Sequence, residues 1–389
     1  MKLVKAALYS AGEERLTSSM PYGIEMARSV VPYERADKAA LRDFQREQFG
    51  PASRQCDDQF FTWLFERNPH RNSNDPGLWL CKRDGAIVGQ QATVPVLLKV
   101  GEKQLRAAWG IDLMVHPQWR LKGVAPALSA AYEKSADILL GLGLSDGAHR
   151  AYARSGWTDM GMLPLFVRPL NPQACGPALQ SGGWLARLAP RSVVKGSAHV
   201  IGRFASAVTG VSLEPVAAFD EQVDRVWAIS SPDYPVLVQR DYISLRWRFD
   251  EVPNRTLYQR HYLIRNGRAI GYAVTRFDRW RGQPIGRVVD YLIERRSLPV
   301  LLALVIQELS IKRVVAVFIE QLHAQSEGVL RSLGCFGVGA ATRFIVKTPA
   351  GASSLAGALN HRAHWFITRG DSDPDYGSAD SAALAHNQG

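Results

Sequence analysis

Trp109-Gly-Ile-Asp-Leu-Met-Val-His-Pro-Gln-Trp-Arg-Leu-Lys-Gly-Val-Ala-Pro-Ala-Leu128 is the stretch on which the reading of this chain turns. Its first part, Ile111–Val115, has the apolar character of a strand. Pro117, with no N–H and a fixed φ, ends it. From Gly123 the spacing becomes helical, with Leu128 and Ala131 on one side and Tyr132 beside them. Between the two lies Arg120-Leu121-Lys122-Gly123-Val124-Ala125. A strand that passes through a small-residue loop into a helix start leaves several backbone N–H groups without intrahelical acceptors. With the positive end of the helix dipole, those donors make a place for phosphate. Gly123 and Ala125 lack bulk, so a ligand can come close to the backbone there.

The flanks extend the pattern. Upstream, Leu78–Arg83, Ile87–Val100 and Leu105–Val115 are apolar runs divided by Asp84-Gly85 and Gly101-Glu102-Lys103. Asp-Gly between alternating apolar runs signals a hairpin, so an antiparallel meander leads into the loop. Ahead of it stand a short strand at Ala27–Val31, an amphipathic helix over Arg35–Phe49 and a second helix over Asp57–Arg67, which Asn68-Pro69 breaks. Downstream, Ile138–Leu144 reads as a buried strand, Asp146–Ser155 as a helix and Trp157–Val167 as a last strand.

Arg120-x-x-Gly123-x-Ala125, following Leu113-x-Val115-x-Pro117 in this order of elements, resembles the acyl-CoA pyrophosphate loop of the GNAT N-acetyltransferases. The resemblance covers residues 27–170. It implies an α/β (α+β) fold, a mixed, mostly antiparallel sheet flanked by helices, with acetyl-CoA or another acyl-CoA as cosubstrate and no metal. Arg120, Leu121, Lys122, Gly123, Val124 and Ala125 would surround the diphosphate, and Met114 and Val115 would bond the pantetheine through their backbone. Pro126 departs from the pattern by removing one donor, though proline is well tolerated in a first helical turn.

Acyl transfer to an amine needs a neutral nucleophile, a polarised carbonyl and a protonated leaving thiolate. The resemblance implies direct attack without a covalent acyl-enzyme, and no Ser/His/Asp triad is evident. Tyr152 lies four residues before Gly156 in Ala151-Tyr152-Ala153-Arg154-Ser155-Gly156-Trp157, which is where such proteins often carry the acid. A phenol with pKa near ~10 can protonate a thiolate as it forms. Asp112 and His116 are the candidate bases, since strand alternation puts them on one face with Met114. Asp146 and His149 stand behind them as alternatives.

From about Glu214 the pattern restarts. Trp63-x-Phe65-x-x-x-Pro69 recurs as Trp247-x-Phe249-x-x-x-Pro253, and Arg83-Asp84-Gly85 as Arg265-Asn266-Gly267. Gly110 and Asp112 are echoed by Gly286 and Asp290 at a different spacing. Gly156 and Gly161 find Gly334 and Gly339. The expected organisation is a leader (1–26), a GNAT-like domain (27–170), a linker with short basic helices (171–213), a degenerate GNAT-like domain (214–349) and a C-terminal extension (350–389). In the second copy the loop position reads Arg295-Arg296-Ser297-Leu298-Pro299-Val300-Leu301. It has no glycine, and its Leu and Val side chains are expected to crowd the donors. That copy is expected to complete an acceptor pocket, cover the first or form a homodimer. Asp290 persisting in it hints that Asp112 is structural.

The composition sets outer bounds. A 389-residue chain suits two domains, and 46% hydrophobic with 21% charged residues is a globular balance. No apolar run reaches the ~20 residues of a spanning helix, and Met1–Met20 lacks a signal-peptide core, so the cytoplasm is the expected compartment. Cys56, Cys81, Cys175 and Cys335 show neither metal nor disulfide spacing. The net charge of +11 favours anionic partners. Between Arg240 and Arg296 there are 13 arginines against 6 acidic residues, read as a solvated basic face or the seat of an anionic acceptor such as a phosphosugar or uronic acid. The expected acceptor is the amine of a small molecule or saccharide, and no nucleic-acid motif is seen. The rival readings are a FemAB-like aminoacyl transferase using aminoacyl-tRNA and a non-catalytic scaffold that retains the shape.

Overall fold

Asp84 and Gly85 both take left-handed backbone conformations, with φ of 50° and 80°, and so close the two-residue hairpin that the Asp-Gly pair demands. The computed structural model describes residues 29–71, 77–171, 191–312, 314–339, 342–348 and 355–376. The expected leader, most of the linker before residue 191 (Cys175 with it) and much of the C-terminal extension lie outside them. The chain forms two compact units, one drawn from 1–95 and 107–139, the other from 96–106 and 140–389.

In the first unit the meander is β1 (Val30–Pro32), β2 (Leu78–Arg83), β3 (Ala86–Val100) and β4 (Lys103–Val115), neighbours in that order. β1 and β3 each pair antiparallel with β2. Helix α1 (Lys38–Phe49) buries Leu41 and Phe44. The single helix expected over 57–67 is instead α2 (Asp58–Phe61) followed by a wider π-helical turn, Thr62–Glu66, which buries Trp63, Leu64 and Phe65 in succession. Asp57 caps it, accepting the Gln59 N–H at 2.7 Å. Helix α3 (Val124–Tyr132) follows the loop.

The second unit adds β5 (Ile138–Leu142), α4 (Asp146–Ala153), β6 (Thr158–Met162), β7 (Leu165–Pro169), α5 (Arg191–Thr209), β8 (Val211–Val216) and α6 (Gln222–Ser230). Then come β9 (Val236–Val238), α7 (Tyr242–Leu245), β10 (Tyr258–Arg265), β11 (Arg268–Trp280), β12 (Gln283–Ile293), α8 (Leu298–Ile311), β13 (Ala316–Leu322) and α9 (Ala324–Ser332). The last strands are β14 (Phe336–Gly337), β15 (Arg343–Lys347) and β16 (Trp365–Thr368). The linker's described part is one long helix, α5, rather than short ones. The single strand expected over 157–167 is two, β6 and β7, divided at Leu163-Pro164.

The sequence echoes are matched in backbone geometry. Trp247 and Phe249 lie in a second π-helical turn, Arg246–Asp250, after α7, which Asp241 caps as Asp57 caps α2. Asn266-Gly267 repeats the left-handed pair of Asp84-Gly85, with φ of 52° and 72°. Gly156 and Gly334, with φ of 79° and 75°, end α4 and α9 in the same way. The N–H of Trp157 returns to the Tyr152 carbonyl, and that of Cys335 to the Leu330 carbonyl, as in a Schellman motif.

The compact units nevertheless do not follow the expected division at 170 and 214. The reason is an exchange of strands. β15, from the end of the second sequence copy, lies between β5 and β6, while β7, from the end of the first, lies between β13 and β14. Gly141 admits it: a Cβ there would meet the Ile345 side chain at 2.9 Å.

Candidate active site

After β4 the chain makes a 3₁₀ turn, Pro117–Trp119, and then four residues, Arg120–Gly123, before α3 begins. Leu121 and Gly123 both have left-handed backbone, with φ of 63° and 80°. Gly123 accepts this freely; at Leu121 it costs roughly 1–2 kcal/mol, and such strain gathers where a loop is shaped to hold a ligand. The Leu121 side chain is fully exposed, so packing does not compensate. Gly123 is the N-cap of α3, and no side chain caps that helix. Its carbonyl accepts the Ala127 N–H at 3.1 Å, which leaves the amides of Val124 and Ala125 at the open end. Gly89 fixes where that end sits, because a Cβ on it would fall 2.8 Å from Val124 Cγ1 and 3.1 Å from Leu128 Cδ1.

The flanking residues are tied in. Arg120 Nε donates to the Val115 carbonyl at 3.3 Å, and Lys122 Nζ stands 5.0 Å from the centre of the Trp119 ring. Met114 and Val115 are half-buried at the end of β4. Asp112 also has left-handed backbone, with φ of 53°, and breaks the regular strand there. Its carboxylate receives both Arg54 amino groups, at 2.8 and 3.0 Å, and Gln55 Nε2 at 2.8 Å. A carboxylate so engaged is a brace for the strand more than an open base. His116 accepts the Gln118 N–H at Nδ1, 3.3 Å, and faces Glu47 through Nε2 at 3.2 Å. With Nδ1 as acceptor its proton lies on Nε2, so His116 is likewise a turn-forming residue.

Tyr152 is buried in α4 with its ring 4.7 Å from that of Trp157. Among the alternatives, Asp146 lies in the first turn of α4, and His149 meets Asp159 at 2.8 Å, where Arg343 also pairs. Among the described residues no group of three or more His, Cys, Asp or Glu could hold a metal ion.

No family model matches the chain, and no curated protein matches it in sequence. Solved structures do match. A GCN5-related N-acetyltransferase from Anabaena variabilis aligns with TM-score 0.56 at 14% identity, over 82% of this chain and 72% of that one. One from Kribbella flavida gives 0.55 at 11%, over 82% and 71%. Saccharomyces cerevisiae N-myristoyltransferase with bound myristoyl-CoA gives 0.52 at 12%, over 82% and 78%. The chain has the GNAT fold.

Within that fold the first unit holds polar residues that the sequence did not single out. Arg42 Nη1 reaches Gln45 Oε1 at 2.9 Å, Gln45 Nε2 reaches Gln90 Oε1 at 3.2 Å, and Gln90 Nε2 reaches the Asp112 carbonyl at 3.2 Å. Gln45, Gln90, Arg54 and Asp112 line a small cleft walled by Phe60, Phe61 and Phe65. One signal was available: Gln90-Gln91 interrupts the apolar run of β3, and both side chains are buried.

The second copy's junction is shortened. A 3₁₀ turn, Arg295–Ser297, runs straight into α8 at Leu298. The Arg295 N–H donates to the Asp233 carboxylate at 2.7 Å, so the protein supplies its own anion.

Of the arginines in 240–296, Arg246, Arg255, Arg268, Arg279, Arg281, Arg295 and Arg296 are exposed, as a solvated basic face requires, but five others correct that reading. Arg240, Arg248, Arg260, Arg276 and Arg287 are buried. Arg240 pairs with Asp290 at 3.2 Å and Asp371 at 2.7 Å, Arg248 with Asp375 at 3.1 Å, and Arg276 with Asp278 at 2.8 Å and Asp375 at 3.2 Å. Burial works against the Arg240 charge, yet Asp290 and Asp371 raise its pKa above that of an ordinary arginine. Sequence counting missed this because Asp371 and Asp375 come from the C-terminal extension. That extension also supplies β16, which pairs with β13 at Leu322↔Ile367 and sets Phe366 against Tyr234, Tyr291 and His323.

Proposed function

We propose that the chain is an acyl-CoA-dependent N-acyltransferase, with acetyl-CoA the simplest donor, that acylates the amine of a small molecule or saccharide. One observation carries the reading: a helix start without a side-chain cap, entered through a glycine at φ 80° and an exposed leucine at φ 63°. Amides so arranged suit the diphosphate of a coenzyme, and a Cβ at Gly123 would need strained backbone to be accommodated. A structural neighbour with myristoyl-CoA bound supports a CoA thioester as donor.

In this reading Gly123, Val124 and Ala125 hold the diphosphate through backbone N–H groups, and Met114 and Val115 bond the pantetheine. Tyr152 protonates the leaving thiolate. Asp112, held by Arg54 and Gln55, and His116, held by Glu47, keep the end of β4 in shape. Deprotonation of the ammonium then proceeds through water. The domain reading is tandem, with a catalytic copy over 27–170 and a degenerate one over 214–349 that binds no coenzyme. The cytoplasm remains the proposed compartment; among the described residues no helix is long and apolar enough to cross a membrane.

Calorimetry with acetyl-CoA tests this. Binding at one site per chain that is lost in Gly123→Glu supports it. Absence of binding by the wild type would sink it, and stabilisation by aminoacyl-tRNA instead would favour the FemAB-like alternative.

A further inference from the structure

Helix α5 has two opposed faces, and the chain covers one of them. At about 3.6 residues per turn, Ala198 and Gly202 share one side, while Val200, Ile201, Phe204 and Val208 share an arc of roughly 100° on the other. The first side packs on α8: Ala198 is buried, a Cβ on Gly202 would collide with the Gln307 side chain, and Gln307 Nε2 lies 3.4 Å from His199 Nδ1. On the second side Val200, Phe204 and Val208 are 64%, 69% and 66% exposed, and Ile201 is 38% exposed. Exposed apolar side chains scattered singly are ordinary; four on successive turns of one helix make a ridge.

Charge narrows what such a ridge can meet. Residues 171–213 hold Arg187, Arg191, Lys195 and Arg203 and not one aspartate or glutamate. Arg203, beside Phe204, is exposed. A second copy of this chain fits poorly, because two acid-free basic stretches would face each other with no carboxylate to pair them. Four apolar side chains are also few beside the roughly 20–30 residues per side of a stable protein interface. A bilayer carrying anionic lipid suits both features: apolar side chains sink to the boundary of headgroups and acyl chains, and cations stay level with the phosphates.

We propose that α5 docks the protein on an anionic membrane surface, lying in the interface plane without crossing it. Val200, Phe204 and Val208 enter the bilayer boundary, and Arg203 meets lipid phosphate. The ridge shares no residue with the coenzyme loop or with Tyr152, so docking stands or falls independently of acyl transfer.

The test is sedimentation of the full chain with vesicles of phosphatidylcholine alone and of phosphatidylcholine mixed with phosphatidylglycerol. The wild type is compared with Val200→Gln/Phe204→Gln/Val208→Gln, whose glutamines favour the helix at least as well. The wild type should bind the mixed vesicles about 10-fold or more tightly than the neutral ones, and the triple variant should lose about 10- to 100-fold of that binding. Arg203→Gln should cost about fivefold, and added salt should weaken the wild type further. The melting temperature of the triple variant should stay at or above that of the wild type. A wild type left in the supernatant by the mixed vesicles would overturn the proposal. So would a triple variant that binds as well as the wild type, which would assign adsorption to the overall positive charge. A wild-type dimer in light scattering that the triple variant disperses would make the ridge an interface between copies instead. A triple variant that melts well below the wild type would mean that the chain itself covers the ridge.

Discussion

Two strand-to-helix junctions in this molecule begin alike and end differently. His116 and Glu294 each precede a 3₁₀ turn with nearly the same backbone, φ −51°, ψ 133° and φ −53°, ψ 136°. After the first turn four residues intervene before the helix; after the second, none do. Those four residues contain both left-handed positions, Leu121 and Gly123, and they make the difference between an open helix start and a closed one. At the second junction Asp233 already occupies an amide with a carboxylate. An open helix start is therefore a matter of a few residues of loop, and the turn before it is the same with or without them.

Gly123→Glu should break the contrast most severely. Losing two charge-assisted amide contacts corresponds to on the order of 100-fold weaker acetyl-CoA binding, and the introduced carboxylate should carry it beyond detection. Gly267→Ala is a matched control, since its φ of 72° carries the same backbone strain in the turn between β10 and β11. It should lower the melting temperature and leave the dissociation constant unchanged; equal loss in both variants would mean that Gly123 matters only for folding.

The helices that follow β5 and β13 sharpen the comparison. Tyr152 and Leu330 occupy the same place before their capping glycines, so only the first copy has a hydroxyl there. Tyr152→Phe should slow turnover about 100-fold while calorimetric affinity stays within twofold. An unchanged kcat would remove the phenol from the chemistry.

At the start of those helices Ser145 caps the first, while His323 stands before the second, buried against Tyr234 and Phe366. Burial pushes its pKa down to about 4, and Arg295 pushes in the same direction. The unfolded chain takes up this proton below about 6.5, whereas the folded one resists until about 4. Stability is therefore full above pH 6.5 and falls as pH drops toward 4, by about 2–3 kcal/mol from this group. His323→Gln should flatten that part of the pH–stability curve measured by urea denaturation; an unaltered slope would assign the acid sensitivity elsewhere.

Asp233→Ala frees the Arg295 amide and should cost about 1 kcal/mol of stability, as loss of a helix-end carboxylate does. Calorimetry should still give one CoA site per chain, because the four loop residues remain missing. A second site appearing in this variant would mean that the carboxylate alone closes the junction.

Local chemistry was legible in the sequence, and long-range pairing was not. Asp84-Gly85, Asn266-Gly267, Gly156 and Gly334 announce their turns because few other residues tolerate left-handed backbone. The Gly123 loop was readable for the same reason. Asp112 stood out as a carboxylate on a strand, but its partner Arg54 comes from a separate element far upstream, and no periodicity carries that information. Arg240, Arg248 and Arg276 looked like part of a surface because the extension after residue 365 supplies carboxylates that pair with them. The strand exchange leaves almost no mark, since β7 and β15 would be written the same way whichever neighbours they joined.

That exchange has a consequence for any attempt to divide the chain. β15 and β7 each complete a ladder whose other strands come from the opposite half of the sequence, so removing residues 314–348 would leave a gap between β5 and β6 and take both neighbours from β7.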